Sequence, residues 1–174
     1  MASTSLAGEF TSYALDKIRQ NLRQIQRCVE LLEDGDLWHR VNEHTNSIGN
    51  LVLHLTGNVR QWIVAGLGEE PFARDRPAEF AQREPLPRAE ILDHLQHTAH
   101  RALEIIARLD EPDLVRRYTI QDYDVSALVA VFHVVEHFST HTGQIVHMTK
   151  ALRDVDLSVY DAHGHKPPGS GATP

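Results

Sequence analysis

The sequence predicts an all-α protein, a bundle of four long helices. Three observations carry that expectation. Apolar residues recur at steps of three and four in four separate segments, the spacing of one helix face. The segments are bounded by Gly, Asp and Pro, which stop or start helices. The links are short except for one, the pattern of a bundle with a single crossover.

The first segment runs from about Leu6 to Leu32, with Leu15, Ile18, Leu22, Ile25, Val29 and Leu32 in its stripe. Asp34, Gly35 and Asp36 end it with turn-forming residues. The second runs from about Ser47 to Leu67, with Ile48, Leu51, Val52, Leu55, Val59 and Trp62 in line. Asn46 or Ser47 offers a side-chain oxygen to the unpaired N–H groups at its start, and Gly66 and Gly68 mark its end.

Residues 68–86, GEEPFARDRPAEFAQREPL, are polar and hold three of the eight prolines. They read as a long crossover, so helices two and three do not form a simple antiparallel hairpin. The third helix runs from about Pro87 to Leu109, with Pro87 where a missing N–H does least harm. Its face is Ile91 or Leu92, Leu95, Ala99, Ala102, Ile106 and Leu109. The run RRYTIQDYDV is β-like and expected to be extended. The fourth helix runs from about Ser126 to Leu152, with Leu128, Val131, Val134, Val135, Phe138, Ile145 and Leu152 in its stripe. The bundle domain then covers residues 1–156. Residues 157–174 form a tail whose Pro-, Gly- and Ser-rich end is expected to be disordered.

A length of 174 residues fits one domain with a sizeable core. The net charge of -7, with both signs interspersed, provides no basic face for nucleic acid and no polybasic segment for anionic membranes. No apolar run approaches the roughly 18 residues of a membrane helix. MASTSLAGEF lacks the basic and apolar regions of a secretory signal. A cytoplasmic protein is expected. Cys28 is the single cysteine, so no intrachain disulfide forms, and it reads as a small buried residue of helix one.

Twelve histidines are present, and His133, His137 and His141 follow at a spacing of four. At about 100° per residue, His141 lies roughly 70° and His137 roughly 110° from the centre of the helix-four stripe. His133 and His147 lie roughly 150° away and read as outward-pointing. On helix two, His54 lies roughly 120° from its stripe, with Asn58 on the same flank. On helix three, His97 and His100 face away and His94 sits at a border. Imidazoles four apart have Cβ atoms about 5–6 Å apart, close enough to converge on one ion at about 2.0–2.1 Å each. One pair, His137 and His141, with His54 as third ligand is the expected arrangement. On the residues alone, a polar pair at a bundle edge stays open as the alternative.

NSIGNLVLHLTGNVRQW, followed by HVVEHFSTHTGQI, resembles the DinB-like or YfiT-like superfamily over roughly residues 10–152. The resemblance implies an up-down-down-up bundle. It implies that His54, His137 and His141 hold a divalent ion, zinc or nickel, with water completing the shell. Gly143, Gln144 and Ile145 match the ending that follows the helix-four pair, whereas His133 is extra to the pattern. Homodimers are common in the superfamily. Its members include S-transferases that use a low-molecular-weight thiol (bacillithiol, mycothiol or glutathione), isomerases and hydrolases.

Three readings follow: a metal-dependent thiol S-transferase or hydrolase acting on a small-molecule substrate, a non-catalytic metal-binding or stress-related dimeric module, or a metal-free helical dimer. No catalytic residue is assigned. Glu136 points about 100° from His137 and is expected at the surface or behind a ligand rather than as a general base. Asn58 is read either as a contact for water or substrate or as a helix-surface amide. Asp122, Tyr123 and Asp124 precede helix four, where a pocket mouth is expected. Trp38, next to His39, is expected to pack at the bundle end, and Trp62 in the core. His163 and His165 form HGH in the tail, an adventitious metal binder at most.

Overall fold

The structure is a computed structural model that describes residues 5–163 and 165. The four long helices are α1 (Leu6–Glu30), α3 (Ile48–Val59), α5 (Arg88–Ile106) and α7 (Ala127–Arg153). Short helices α2 (Asp34–Leu37), α4 (Arg76–Ala81) and α6 (Glu111–Val115) sit in the links. Helix α3 continues directly into a π-helical segment, Arg60–Ala65. Its wider turn is fixed by bonds such as Gly66 N–H to Gln61 O at 3.0 Å.

Capping sets where the helices begin. Ser47 Oγ accepts from Asn50 N–H at the start of α3, and Ser47 N–H in turn donates to Asn50 Oδ1. Ser126 accepts from Val129 N–H at the start of α7. Between α6 and α7, β1 (Arg117–Ile120) and β2 (Tyr123–Ser126) pair as an antiparallel hairpin, with Ile120 opposite Tyr123. Gln121 and Asp122 both have positive φ, 51° and 66°, the geometry of a tight hairpin turn.

Hydrogen bonds at one end of the bundle establish the helix directions. Arg88, at the start of α5, donates to Leu32 O just past the end of α1. Trp38 lies with its ring 2.9 Å from where a Cβ on Gly49 would stand, in the first turn of α3. Arg153, ending α7, donates to Leu31 O. Thus α1 and α7 end where α3 and α5 begin, and the order is up-down-down-up. The long link is needed because α3 and α5 run in parallel. Helix α1 packs on α7 and α5, and α3 packs on α5 and α7.

The core is the expected one. Ile18, Ile25, Leu55, Leu95, Ile106, Phe138 and Ile145 are fully buried, and the transfer of such side chains from water stabilises the fold by about 1.5–3 kcal/mol each. One stripe residue departs from expectation: Leu128 is 40% exposed. The buried line at the start of α7 instead runs through Ala127, Ala130 and Val131, where small residues let the helix approach closely. Trp38 packs at the bundle end and donates to Leu86 O. Leu157 is buried, so the chain returns to the bundle just past α7. The expected disorder of the tail's end falls on residues 166–174, outside the described residues. Among the described residues, no helix is long and apolar enough to cross a membrane.

Candidate metal centre

His54 and the His137–His141 pair meet across α3 and α7. His137 Nε2 lies 2.9 Å from His54 Nε2. The three residues offer nitrogen atoms that all lie within 4.8 Å of one another. The rings stand edge-on, with His54 and His141 centroids 5.2 Å apart and those of His137 and His141 4.4 Å apart. His54 is buried, whereas His137 and His141 are half-buried, so the cluster is closed on the α3 side and approachable along α7.

The long crossover closes it. Helix α4 lies on α3 and brings Glu79 Oε2 to 2.8 Å from His54 Nδ1. Arg74 grips the same carboxylate with two bonds, Nε to Oε1 at 2.7 Å and Nη2 to Oε2 at 2.8 Å. It also donates to Gln61 Oε1 and to His54 O. Arg74 Nη2 also lies 3.1 Å from His54 Nδ1. Nδ1 cannot donate to Glu79 and accept from Arg74 at once. The shorter, charge-assisted contact to the carboxylate decides: Nδ1 carries the proton, and Nε2 turns a lone pair towards His137. The Arg74 and Glu79 side chains are only 4% and 11% exposed. Phe80 covers the His54 ring at 4.6 Å.

Three α3 residues make this docking fit. Asn50 donates to Glu79 O and Gln82 O at the end of α4. His54 meets the carboxylate one turn on. Gly57 follows, and a Cβ there would run into the Glu79 carboxylate and stand 2.9 Å from Arg74 Nε. Asn50, His54 and Gly57 share a face at steps of four and three.

The surroundings favour the neutral form of His137 and His141. Burial, then the neighbouring His141, His54 and His133 and the Arg74 cation, push His137 down to about 3. Burial also lowers His141, partly opposed by its Nδ1 contact with Gln144 Oε1 at 2.7 Å. Burial alone would raise the Glu79 carboxyl, but hydrogen bonds from His54 and Arg74 outweigh it and hold it below its ordinary range.

A divalent ion fits this donor set. The carboxylate on His54 Nδ1 and the amide oxygen on His141 Nδ1 leave both Nε2 atoms as acceptors. Lone pairs brought this close repel unless a proton or a cation lies between them. A carboxylate behind a histidine is also the common outer support of a metal ligand.

His133, read as outward-pointing, is half-buried instead. Its ring lies 4.1 Å from that of Trp62 and stacks on His137 at 5.5 Å. Its Nε2 is 3.3 Å from Asn58 Nδ2. The angular estimate took α7 alone, whereas the neighbouring π-helical turn covers that flank with Trp62. Asn58 is buried, not a surface amide. Asn58 Oδ1 and Trp62 Nε1 are buried without a hydrogen-bond partner, so this corner beside the triad has one acceptor and one donor unanswered.

The other candidates lie elsewhere. Glu136 and His147 are exposed on α7, and His94, His97 and His100 are exposed on α5. Asp124 is paired with Arg117 in the hairpin. His163 and His165 have ring centroids 6.3 Å apart on the surface.

The profile of the family described as "Protein of unknown function (DUF1572)" matches residues 5–161. The chain belongs to this family. No curated protein sequence matches the DUF1572 chain. Solved structures do resemble it. A conserved protein from Enterococcus faecalis superposes with a TM-score of 0.69 at 12% identity, over 80% of this chain and 95% of that one. A DinB-like protein from Bacillus cereus gives 0.62 at 15% identity, over 86% and 93%. A histidine-to-alanine mutant of a mycothiol-dependent maleylpyruvate isomerase gives 0.57 at 14% identity, over 81% and 68%. The likeness is one of fold, and the DUF1572 chain is an all-α, DinB-like bundle.

Proposed function

We propose that His54, His137 and His141 hold a divalent metal ion, zinc or nickel, and that the protein is a metal-dependent thiol S-transferase or hydrolase acting on a small molecule. The observation that carries this is the meeting of His54 Nε2 with the α7 pair while Glu79 and Gln144 occupy the outer nitrogens. Three neutral imidazoles leave coordination positions open, as catalytic rather than structural sites do. A metal held there supplies Lewis acidity and lowers the pKa of a bound water or thiol towards neutrality.

The chain's own groups do the rest. Glu79 and Arg74 fix the His54 ring and its tautomer. Phe80 and α4 exclude water from the α3 side. His137 and His141 face the side from which a substrate arrives. A low-molecular-weight thiol as co-substrate is supported by the fold shared with a mycothiol-dependent isomerase. A homodimer in the cytoplasm completes the proposal.

Metal analysis of tag-free protein, with cobalt substitution, tests the reading. About one ion per chain is expected, lost in His54→Ala and His141→Ala. The visible spectrum of the cobalt form is expected to change on adding thiol, because an open position lets the thiol bind. A stoichiometric ion whose spectrum ignores thiols favours the non-catalytic module. Absence of metal in the wild-type protein overturns both.

A further inference from the structure

We propose a second binding site, in the groove between α1 and α7, for a small aromatic carboxylate. The cavity there is about 660 Å³, within the range of small-molecule sites. It opens on the opposite flank of α7 from the triad: Ser139 and Gly143 line it, each two residues after a triad histidine and so turned by roughly 200°.

Three observations specify the occupant. The first is charge. The sequence has three lysines and a net charge of -7. Two of those lysines, Lys17 and Lys150, line this groove at different levels along α1 and α7, and none of its lining residues is acidic. Asp156 is near enough to feel Lys150 but is not part of the wall. The second is aromatic surface. Tyr13 and Tyr160, 47% and 56% exposed, stand in the wall with Val146 and Val159. The Lys17 ammonium lies 5.0 Å from the Tyr13 ring centroid.

The third is shape. Asn21 donates to Ser139 Oγ at 2.9 Å and ties α1 to α7 within the groove. At Gly143 an added Cβ would meet nothing within 4 Å. Glycine weakens a helix relative to alanine, and here no packing contact requires it. Its effect is to keep the groove open beside Ser139. A flat ring lies beside Gly143 and Ser139 in this arrangement, with its carboxylate on Lys150 and the amide of Gln24.

Sodium benzoate is the probe, and benzamide its neutral counterpart, each titrated into the full-length ¹⁵N-labelled protein. Saturable shifts are expected at the amides of Asn21, Ser139 and Gly143. Benzamide is expected to bind about tenfold more weakly, the worth of one charge-assisted hydrogen bond. Lys150→Met is expected to remove most of that difference. Gly143→Leu, which suits a helix better than glycine, is expected to abolish binding while leaving the circular dichroism unchanged. Equal affinity for benzamide, an unchanged Lys150→Met, or shifts confined to His141 and Gln144 each overturn the proposal, as does the absence of saturation at millimolar benzoate. None of these readouts depends on whether the triad holds a metal.

Discussion

Glu79 Oε2 lies 2.8 Å from His54 Nδ1, joining residues 25 positions apart in the chain. The carboxylate comes from the crossover, not from the bundle, so the link between α3 and α5 is a working part of the centre. Its removal is therefore expected to weaken binding of the proposed ion. Glu79→Gln is expected to weaken metal affinity about 10–100-fold, the usual effect of losing an outer partner of a ligating histidine. Competition with a chromophoric chelator measures it. The same change leaves the Arg74 charge buried without its counter-ion, and loss of one partner of such a pair destabilises by about 3–5 kcal/mol. An unaltered affinity in a folded variant would show that Glu79 does not support the ligand.

Two helical glycines should respond in opposite directions to one substitution. At Gly143 a Cβ meets nothing, so Gly143→Ala is expected to stabilise the protein by about 0.5–1 kcal/mol. At Gly57 a Cβ meets the Glu79 carboxylate and Arg74. Gly57→Ala is therefore expected to destabilise the fold and to weaken metal binding in the same sense as Glu79→Gln. Urea midpoints of the two variants, measured side by side, check the signs.

The pH dependence of the metal-free protein follows from the depressed histidines. His137 is pushed down to about 3 in the folded chain, while an unfolded histidine titrates near 6.5. The unfolded state then binds the proton more readily, so folding is favoured in full above about pH 6.5 and loses ground as the pH falls towards 3. Glu79, also depressed, adds a loss in the same direction at lower pH. Urea midpoints are expected to fall from pH 7 to pH 5, and His137→Phe, which cannot take up a proton, should flatten that fall. A midpoint that rises on acidification contradicts the assignment.

Cys28 should be inert. It is fully buried, Gln24 Nε2 approaches its sulfur at 3.8 Å, and burial pushes the thiol up. The thiolate is the reactive form. Native protein is expected to leave Ellman's reagent unchanged at pH 8 on the timescale in which urea-unfolded protein reacts completely. Rapid labelling of the native state would require an opening of α1 that the packing does not show.

Much of the fold was legible because helix geometry is local. Each stripe on α1, α3, α5 and α7 repeats within a turn or two, and Ser47 and Ser126 cap where the pattern starts. His54, His137 and His141 were legible for the same reason, since each borders its own stripe. Arg74 and Glu79 were not. In the crossover they stand among alternating charges, and nothing nearby distinguishes Glu79 from Glu69 or Glu84. The trace that could have pointed to them lies on α3, where Asn50, His54 and Gly57 form a face too polar and too small for the core and too regular for the solvent. His133 was misplaced because Trp62, which shelters it, belongs to a different helix.

Sequence alone determined the four amphipathic rods, their caps, the one long link and the three histidines that flank the apolar stripes. These depend on spacing within a single segment, and a helix turns at the same rate wherever it is placed. Tertiary structure decided which nitrogen of His54 carries a proton, which carboxylate stands behind it, and that His133 is enclosed. Those depend on the contact of segments remote in the chain, where distances of 3 Å and the exclusion of water set the chemistry, and no local periodicity records them.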